Sequence, residues 1–304
     1  MPSCCVDVPS VTSIVRCLRG SSNPLLVNAS DGHRYVVKTA ERSIRPECLF
    51  SEAMGYELFR IYNLPVPEWR VLRISQVQRR REGGLDEIDP GSSVTLCFGS
   101  RFLPDLDETY QIIPMSTFGS ISNRQSFWTA WLLDCCARHS EFRKTVFCGN
   151  PFATTKAFFI NHDQMFGSEG NSDCIAQASY SDPRIYCQQE RLTVPALRRT
   201  ADAQMVNQLW RFATSLPADW RTGNAESNFG DCLERLTDPS GLRFIADQIS
   251  ELLAQRRPAR ARETTQVVGG GSQHRDLFGE KGTKSAVVPC RPRRVGNRSA
   301  ALTS

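Results

Sequence analysis

Alternating strand-like runs dominate the first hundred positions, broken by one stretch of three-to-four spacing, and helical spacing dominates afterwards. Residues 11–18 alternate loosely, and Gly20-Ser21-Ser22-Asn23-Pro24 is turn chemistry. Leu25-Leu26-Val27 is a short apolar run, and Ala29-Ser30-Asp31-Gly32 is a hairpin signal. Arg34-Tyr35-Val36-Val37-Lys38 is a β-rich run that ends on a lysine. Pro46 opens a helix expected to reach about Tyr62, with Phe50, Ala53, Met54, Glu57, Leu58 and Ile61 at three-to-four spacing and a largely apolar face toward the sheet. Asn63-Leu64-Pro65-Val66-Pro67 ends it, because proline cannot continue the hydrogen-bond ladder. Residues 71–77 and 94–102 read as strands, and 78–93 as an exposed hairpin loop or an insertion between them.

The pattern then changes. Residues 104–122 are irregular and polar, as a hinge would be, while 126–136 are nearly apolar all round, as a core helix should be. Phe127, Trp128 and Trp131 are expected in that core. Val146-Phe147 and Ala157-Phe158-Phe159-Ile160 read as short paired strands, and 167–183 as a Gly/Ser/Asp loop. Residues 204–216 form a predicted helix carrying Met205, Leu209, Trp210 and Phe212. Leu242, Ile245, Ile249, Leu252 and Leu253 mark another, with Asp238 as its N-cap and Arg256-Arg257 at its negative end. Past Arg257 the chain is Arg/Gly/Thr/Ser-rich without periodicity, and a disordered tail is expected. The reading is an α+β chain in three parts: a β-rich lobe over 1–104 with an antiparallel sheet and one helix, a mainly helical lobe over 105–257, and a basic tail over 258–304.

Composition supports a globular body: 304 residues, 40% hydrophobic and 23% charged. Charge separates body from tail. From Arg256 to the end there are 11 Lys or Arg against 3 Asp or Glu, a surplus of +8, which leaves −3 on the first 255 residues of a chain whose total is +5. The body therefore lacks the footprint of a general nucleic-acid surface, and such binding is expected only through the tail. Twelve cysteines include no CxxC pair, so a zinc site has little support. The N-terminal residues have neither a basic region nor an apolar core of signal-peptide length. Free buried thiols in a reducing cytoplasm are expected, and no apolar run is long enough for a membrane span.

The polar residues that punctuate the apolar pattern are the chemical candidates. Lys38 ends a strand and Glu52 lies on the first helix. Arg138-His139-Ser140-Glu141 and Asn161-His162-Asp163 crowd polar groups between apolar flanks. Read alone, Lys38 is a solvated strand-end residue. Glu141 is a surface-turn carboxylate near Arg138, Arg143 and Lys144, and His139 and His162 are structural. Asp134, inside an apolar helix, needs hydrogen-bond partners and is expected to hold the turn that follows.

Taken together, these segments resemble the HipA-like kinase family. The resemblance is carried by Asn23-Pro24-Leu25-Leu26-Val27, by Ser30-Asp31-Gly32-His33-Arg34-Tyr35-Val36-Val37-Lys38, by Ser51-Glu52 and by Asn63-Leu64-Pro65-Val66-Pro67. Phe98-Gly99-Ser100-Arg101-Phe102-Leu103-Pro104, the run from Phe158 to Gly167 and Leu216-Pro217-Ala218-Asp219-Trp220 extend it, so that it spans roughly residues 10–257. It implies a bilobal protein-kinase-like fold with ATP and Mg²⁺ as cofactors and phosphoryl transfer to a protein Ser or Thr, the protein partner being unidentified. It assigns Lys38 to the nucleotide phosphates, Glu52 to the positioning of Lys38, and Gly20, Ser21 and Ser22 to a phosphate-side turn. Glu141 falls where the catalytic Asp is expected, and Asn161, with Asp163 nearby, where the metal-binding Asp is expected. His139 and Val146 fall on two usual Asn positions. Glu is one methylene longer than Asp, Asn binds a hard cation less well, and Val cannot bind one. A catalytically inactive binding or regulatory protein on the same fold is the alternative.

Overall fold

The N-terminal half is built on hairpins. Strands β1 (Val11–Cys17), β2 (Leu25–Ala29), β3 (Arg34–Lys38), β4 (Trp69–Ser75) and β7 (Val94–Arg101) form an antiparallel sheet in the order β1-β2-β3-β7-β4. Two short strands, β5 (Val77–Gln78) and β6 (Glu87–Ile88), pair as the hairpin expected between β4 and β7. In this computed structural model the described residues are 8–18, 22–40, 44–75, 77–78, 87–88, 94–103, 109–110, 113, 115–150, 152–167, 180–186 and 202–256. The tail expected over 258–304, most of the loop expected over 167–183 and part of the hinge expected over 104–122 lie outside them.

The period of two along a strand sorts the sheet residues between two cores. Tyr35 and Val37 join Leu25, Val27, Leu72, Ile74 and Cys97 in a small cluster inside the curled sheet. Lys38 is the register partner of Phe98, whose ring belongs to the main core on the opposite face. The two edge strands meet at one end: the Arg73 N–H donates to the Pro9 carbonyl at 2.9 Å, and Ser10 bridges Arg73 in parallel. Strand β4 begins two residues earlier than expected, because Trp69 already pairs with Ser100 and stacks on Phe98 at 5.4 Å.

Helix α1 (Pro46–Ile61) starts on Pro46 at its N-terminus. It ends in a turn in which Asn63 takes a left-handed φ of 56°. The Asn63 N–H donates to Arg60 O at 3.0 Å and the Leu64 N–H to Phe59 O at 2.9 Å. The prolines follow that turn rather than make it. One apolar stripe was the expectation, but α1 is buried without a break from Leu49 to Phe59. The sheet covers one side, and two later helices and the 3₁₀ turn Ala218–Trp220 cover the other.

The second half holds helix α2 (Ser126–Cys136), in which Phe127 and Trp131 are fully buried. It also holds the three-stranded sheet of β8 (Thr109–Tyr110), β9 (Lys144–Asn150) and β10 (Thr154–Ile160), with β9 in the centre. Helices α3 (Ala203–Ser215), α4 (Ala225–Thr237) and α5 (Pro239–Arg256) complete it. Asp202 caps α3 by accepting the Met205 N–H at 2.8 Å. Asp238 caps α5 as expected, accepting the N–H groups of Ser240 and Gly241 at 2.9 Å each. The sequence reading assigns no element to α4, yet Ala225, Phe229, Cys232, Leu233 and Leu236 give it a buried stripe of helical period. The α+β class is as expected. Among the described residues no helix is long and apolar enough to cross a membrane.

Candidate active site

Strand β3 delivers Lys38 to the face that looks toward α1, and α1 presents Glu52 one strand-to-helix step away. The two form a buried ion pair. The same ammonium donates to Asn161 Oδ1 at 2.9 Å and to Asp163 Oδ2 at 2.8 Å. Glu52 is 1% exposed on its side chain, Asp163 6% and Lys38 9%, so water does little of the solvation. The second carboxylate oxygen of Glu52 accepts the His162 backbone N–H at 2.9 Å. Glu52 thus ties Lys38 to the segment after β10, which also supplies the two other acceptors.

That segment can reach Lys38 because the chain turns sharply at the end of β10. Asn161 has a φ of 65°, a left-handed conformation that Asn tolerates better than most residues. Its carbonyl accepts from Arg143 Nη1 at 3.1 Å, which holds the turn.

Burial works against the charge on Lys38, but the carboxylates of Glu52 and Asp163 outweigh it and raise its pKa above the ordinary lysine value. Burial pushes Glu52 upward, Lys38 pulls it down and Asp163 pushes it up again, with a net rise. Two carboxylates around one ammonium leave the cluster with one negative charge in excess when all three are ionised.

A second layer fixes this arrangement. Arg143 pairs through two nitrogens with both oxygens of Asp134 on α2, all fully buried. Its third nitrogen, Nη1, donates to the carbonyls of Ile160 at 3.0 Å and Asn161 at 3.1 Å, and lies 3.3 Å from His162 Nδ1. Burial raises the Asp134 carboxyl to about 6, against the pull of Arg143. Helix α2 ends with Arg138 in the left-handed region at φ 51°, and the His139 N–H donates back to Asp134 O at 2.8 Å. Asp134 therefore holds the turn, as expected, and does so through Arg143.

His139 Nδ1 donates to Glu141 O at 2.6 Å, and its Nε2 lies 3.4 Å from Asn161 O, so the ring spans the turn and the segment after β10. His162 is packed edge-on between Tyr56 and Phe59, at 4.7 and 4.5 Å between ring centroids. Burial, then the charge of Arg143, pushes both histidines well below the ordinary imidazole range, so both are neutral. Gly55 makes room for His162: a Cβ there would lie 2.7 Å from His162 Cγ and 2.8 Å from Met165 Sδ.

The structure brings Lys38, Glu52, Asn161 and Asp163 into one hydrogen-bonded cluster. Glu141 stands apart from it on the turn, 37% exposed, with its carboxylate 3.0 Å from Lys144 Nζ. Val146 sits in mid-strand opposite Phe158 and offers no donor atom. Ser22 is buried at the entry to β2, while Gly20 and Ser21 lie outside the described residues. Arg143 is a residue that sequence reasoning named only as a neighbour of Glu141 and gave no role. Its burial continues the alternation of Thr145 and Phe147 on β9, and that period was the available signal.

Among the described residues no three His, Cys, Asp or Glu side chains converge as a ready metal cage. The donors present still fit a magnesium–phosphate site, since Mg²⁺ is commonly held by one or two carboxylates plus substrate phosphates. Among the described residues Asp163 Oδ1 is buried without a hydrogen-bond partner, which leaves one carboxylate oxygen beside the Asn161 amide and the lysine.

A sequence profile described as HipA-like kinase matches residues 11–236. Among solved structures, the Helicobacter pylori proinflammatory kinase CtkA aligns with 80% of this chain and 97% of its own length, at 10% identity and a TM-score of 0.47. No curated protein matches the sequence.

Proposed function

This chain belongs to the HipA-like kinase family, and on that premise we propose that it binds ATP at the Lys38 cluster and transfers the γ-phosphoryl group to a protein Ser or Thr hydroxyl. The observation that carries this reading is the buried junction of Lys38 with Glu52, Asn161 and Asp163. It joins a cation, a carboxylate that holds it and, among the described residues, a carboxylate oxygen without a partner, the groups that a phosphate accompanied by Mg²⁺ would use.

In this reading Lys38 Nζ contacts phosphate oxygens, and Glu52, held by the His162 N–H, keeps the ammonium in place. Ser22 belongs to the turn on the phosphate side, with Gly20 and Ser21 before it. Asp163 and Asn161 are the chain's donors to Mg²⁺, which when bound neutralises phosphate charge. Glu141, at the solvent edge of the turn, orients the acceptor hydroxyl and takes its proton as the new P–O bond forms and the bond to ADP breaks. Phosphoryl transfer depends mainly on positioning and electrostatics, which this shell of buried partners supplies. We place the reaction in a reducing cytoplasm, where cysteines stay as thiols. Nucleic acid enters this reading only through the basic tail.

A second reading keeps nucleotide binding without transfer. It is favoured by the Glu141 carboxylate being engaged by Lys144 and by Val146 offering no metal donor. One experiment separates the two. The chain is incubated with γ-labelled ATP and Mg²⁺ or Mn²⁺, alone and with cell lysate, beside Lys38→Met, and unfolding is followed with and without ATP. Label transfer above the variant supports the kinase. Stabilisation of about 2.7 kcal/mol at a hundredfold excess over Kd, with no label, supports the binding protein. Neither signal removes both.

A further inference from the structure

Lys38 has no N–H to spare. An ammonium has three donors, and here they meet three acceptors: Glu52 Oε1, Asn161 Oδ1 and Asp163 Oδ2. A phosphate oxygen can bond Lys38 only if one of these lets go.

The three are not equally free to do so. Glu52 is held at its other oxygen by the His162 N–H and sits on a helix buried on all sides. Asn161 is fixed by its left-handed turn and by Arg143 on its carbonyl, and its neutral amide gains little from a cation. Asp163 differs from both. Among the described residues its Oδ1 is buried with no partner, so this side chain spends one oxygen on Lys38 and has the other idle. A buried idle carboxylate oxygen is costly, and a divalent cation satisfies it.

Charge points the same way. With Glu52 and Asp163 both ionised around Lys38, the cluster carries a net −1 and repels a bare polyphosphate. A divalent cation on Asp163 reverses that sign and draws the carboxylate off Lys38.

We infer that Asp163 is a cation-operated latch on Lys38: without a divalent cation it occupies the N–H that a nucleotide phosphate needs, and with one it moves to the cation and releases that N–H. This rests on the nucleotide reading above. It adds that cation and nucleotide bind as a coupled pair, and that of the two Mg²⁺ donors Asp163 is the one that moves between Lys38 and the cation.

The test is equilibrium binding of a fluorescent non-hydrolysable ATP analogue to the full chain, with Mg²⁺ and with chelator, for the native sequence, Asp163→Asn and Lys38→Met. The native chain should bind about tenfold more tightly with Mg²⁺, within the usual range of coupling between two ligands. Asp163→Asn keeps an oxygen for Lys38 but removes the charge. It should bind the analogue more tightly than the native chain in chelator and gain little from Mg²⁺. Equal affinity of the native chain with and without Mg²⁺ overturns the latch while leaving nucleotide binding intact, and this arm stands even if Asp163→Asn does not fold. Native-like cation dependence in folded Asp163→Asn overturns it too. Failure of the native chain to bind under any condition, as for Lys38→Met, removes the nucleotide reading and the latch together.

Discussion

The Nζ of Lys38 lies 2.8 Å from Oδ2 of Asp163, a residue 125 positions later in the chain. The last residue of β3 and the loop after β10 therefore share one charge cluster, and α1 seals it through Glu52. The stability of the body and the composition of the site are consequently linked.

Replacing Lys38 with Met would leave Glu52 and Asp163 buried without their cation. Breaking a buried pair in this way costs about 3–5 kcal/mol, and urea unfolding should register a loss of that order. Adding Asp163→Asn to Lys38→Met should recover part of it. If the double variant were no more stable than the single one, the two carboxylates would not be coupled through Lys38.

Gly55→Ala tests the packing beneath the site. The added methyl would collide with His162 and Met165, both buried in the core. Overpacking of this kind costs about 1–3 kcal/mol. Because His162 N–H anchors Glu52, affinity for the ATP analogue should fall as well. A variant as stable as the native chain would show that the segment can shift at little cost.

Stability should fall as pH drops below 6.5. His139 and His162 are neutral in the folded state, with pKa values pushed down by burial and by Arg143, whereas in the unfolded chain they take up protons near 6.5. The unfolded state then binds more protons, and each histidine costs about 1.4 kcal/mol per pH unit below that value. Asp134 acts oppositely. Its folded pKa of about 6 exceeds the unfolded 3.8, so its contribution grows as pH falls through 6 and offsets part of the loss. Glu52, also raised by burial, offsets in the same sense, and denaturant titrations at pH 7.5 and 5.5 should show a net loss smaller than the two histidines alone would give. A flat profile would mean that the imidazoles are not held neutral.

Glu141→Gln separates chemistry from stability. The Glu141–Lys144 pair is exposed, so its loss should change unfolding free energy by less than about 0.5 kcal/mol. Under the kinase reading, labelled-phosphate transfer should drop about 10²-fold while nucleotide affinity stays unchanged. Unaltered transfer would exclude Glu141 as the base.

Local pattern put Lys38 at the end of a β-rich run and Glu52 on a proline-initiated helix, but it read Lys38 as solvated where the structure buries it; only the family resemblance joined the two. Asp238 as a cap and the turn-holding role of Asp134 were legible from local pattern. Placing Asp163 was harder, since its direction depends on the left-handed turn at Asn161, a backbone state that sequence period does not report. Arg143 was obscured by the charged residues around it, although it shares the inward phase of Thr145 and Phe147. The unbroken burial of α1 could not be read from α1 alone, because the helices that cover its outer side lie more than a hundred residues further on.

The distance in sequence between β3 and the loop after β10 also bears on how the protein is made. Lys38 and Glu52 leave the ribosome well before Asn161 and Asp163. At about 5–20 residues per second, the delay for Asp163 is roughly 6–25 s. During that interval the nascent sheet carries its lysine–glutamate pair without the other acceptors, and α1 lacks the helices that cover its outer side. The first hundred residues are thus translated as a surface awaiting its lid, and the charge cluster closes only when synthesis has passed β10.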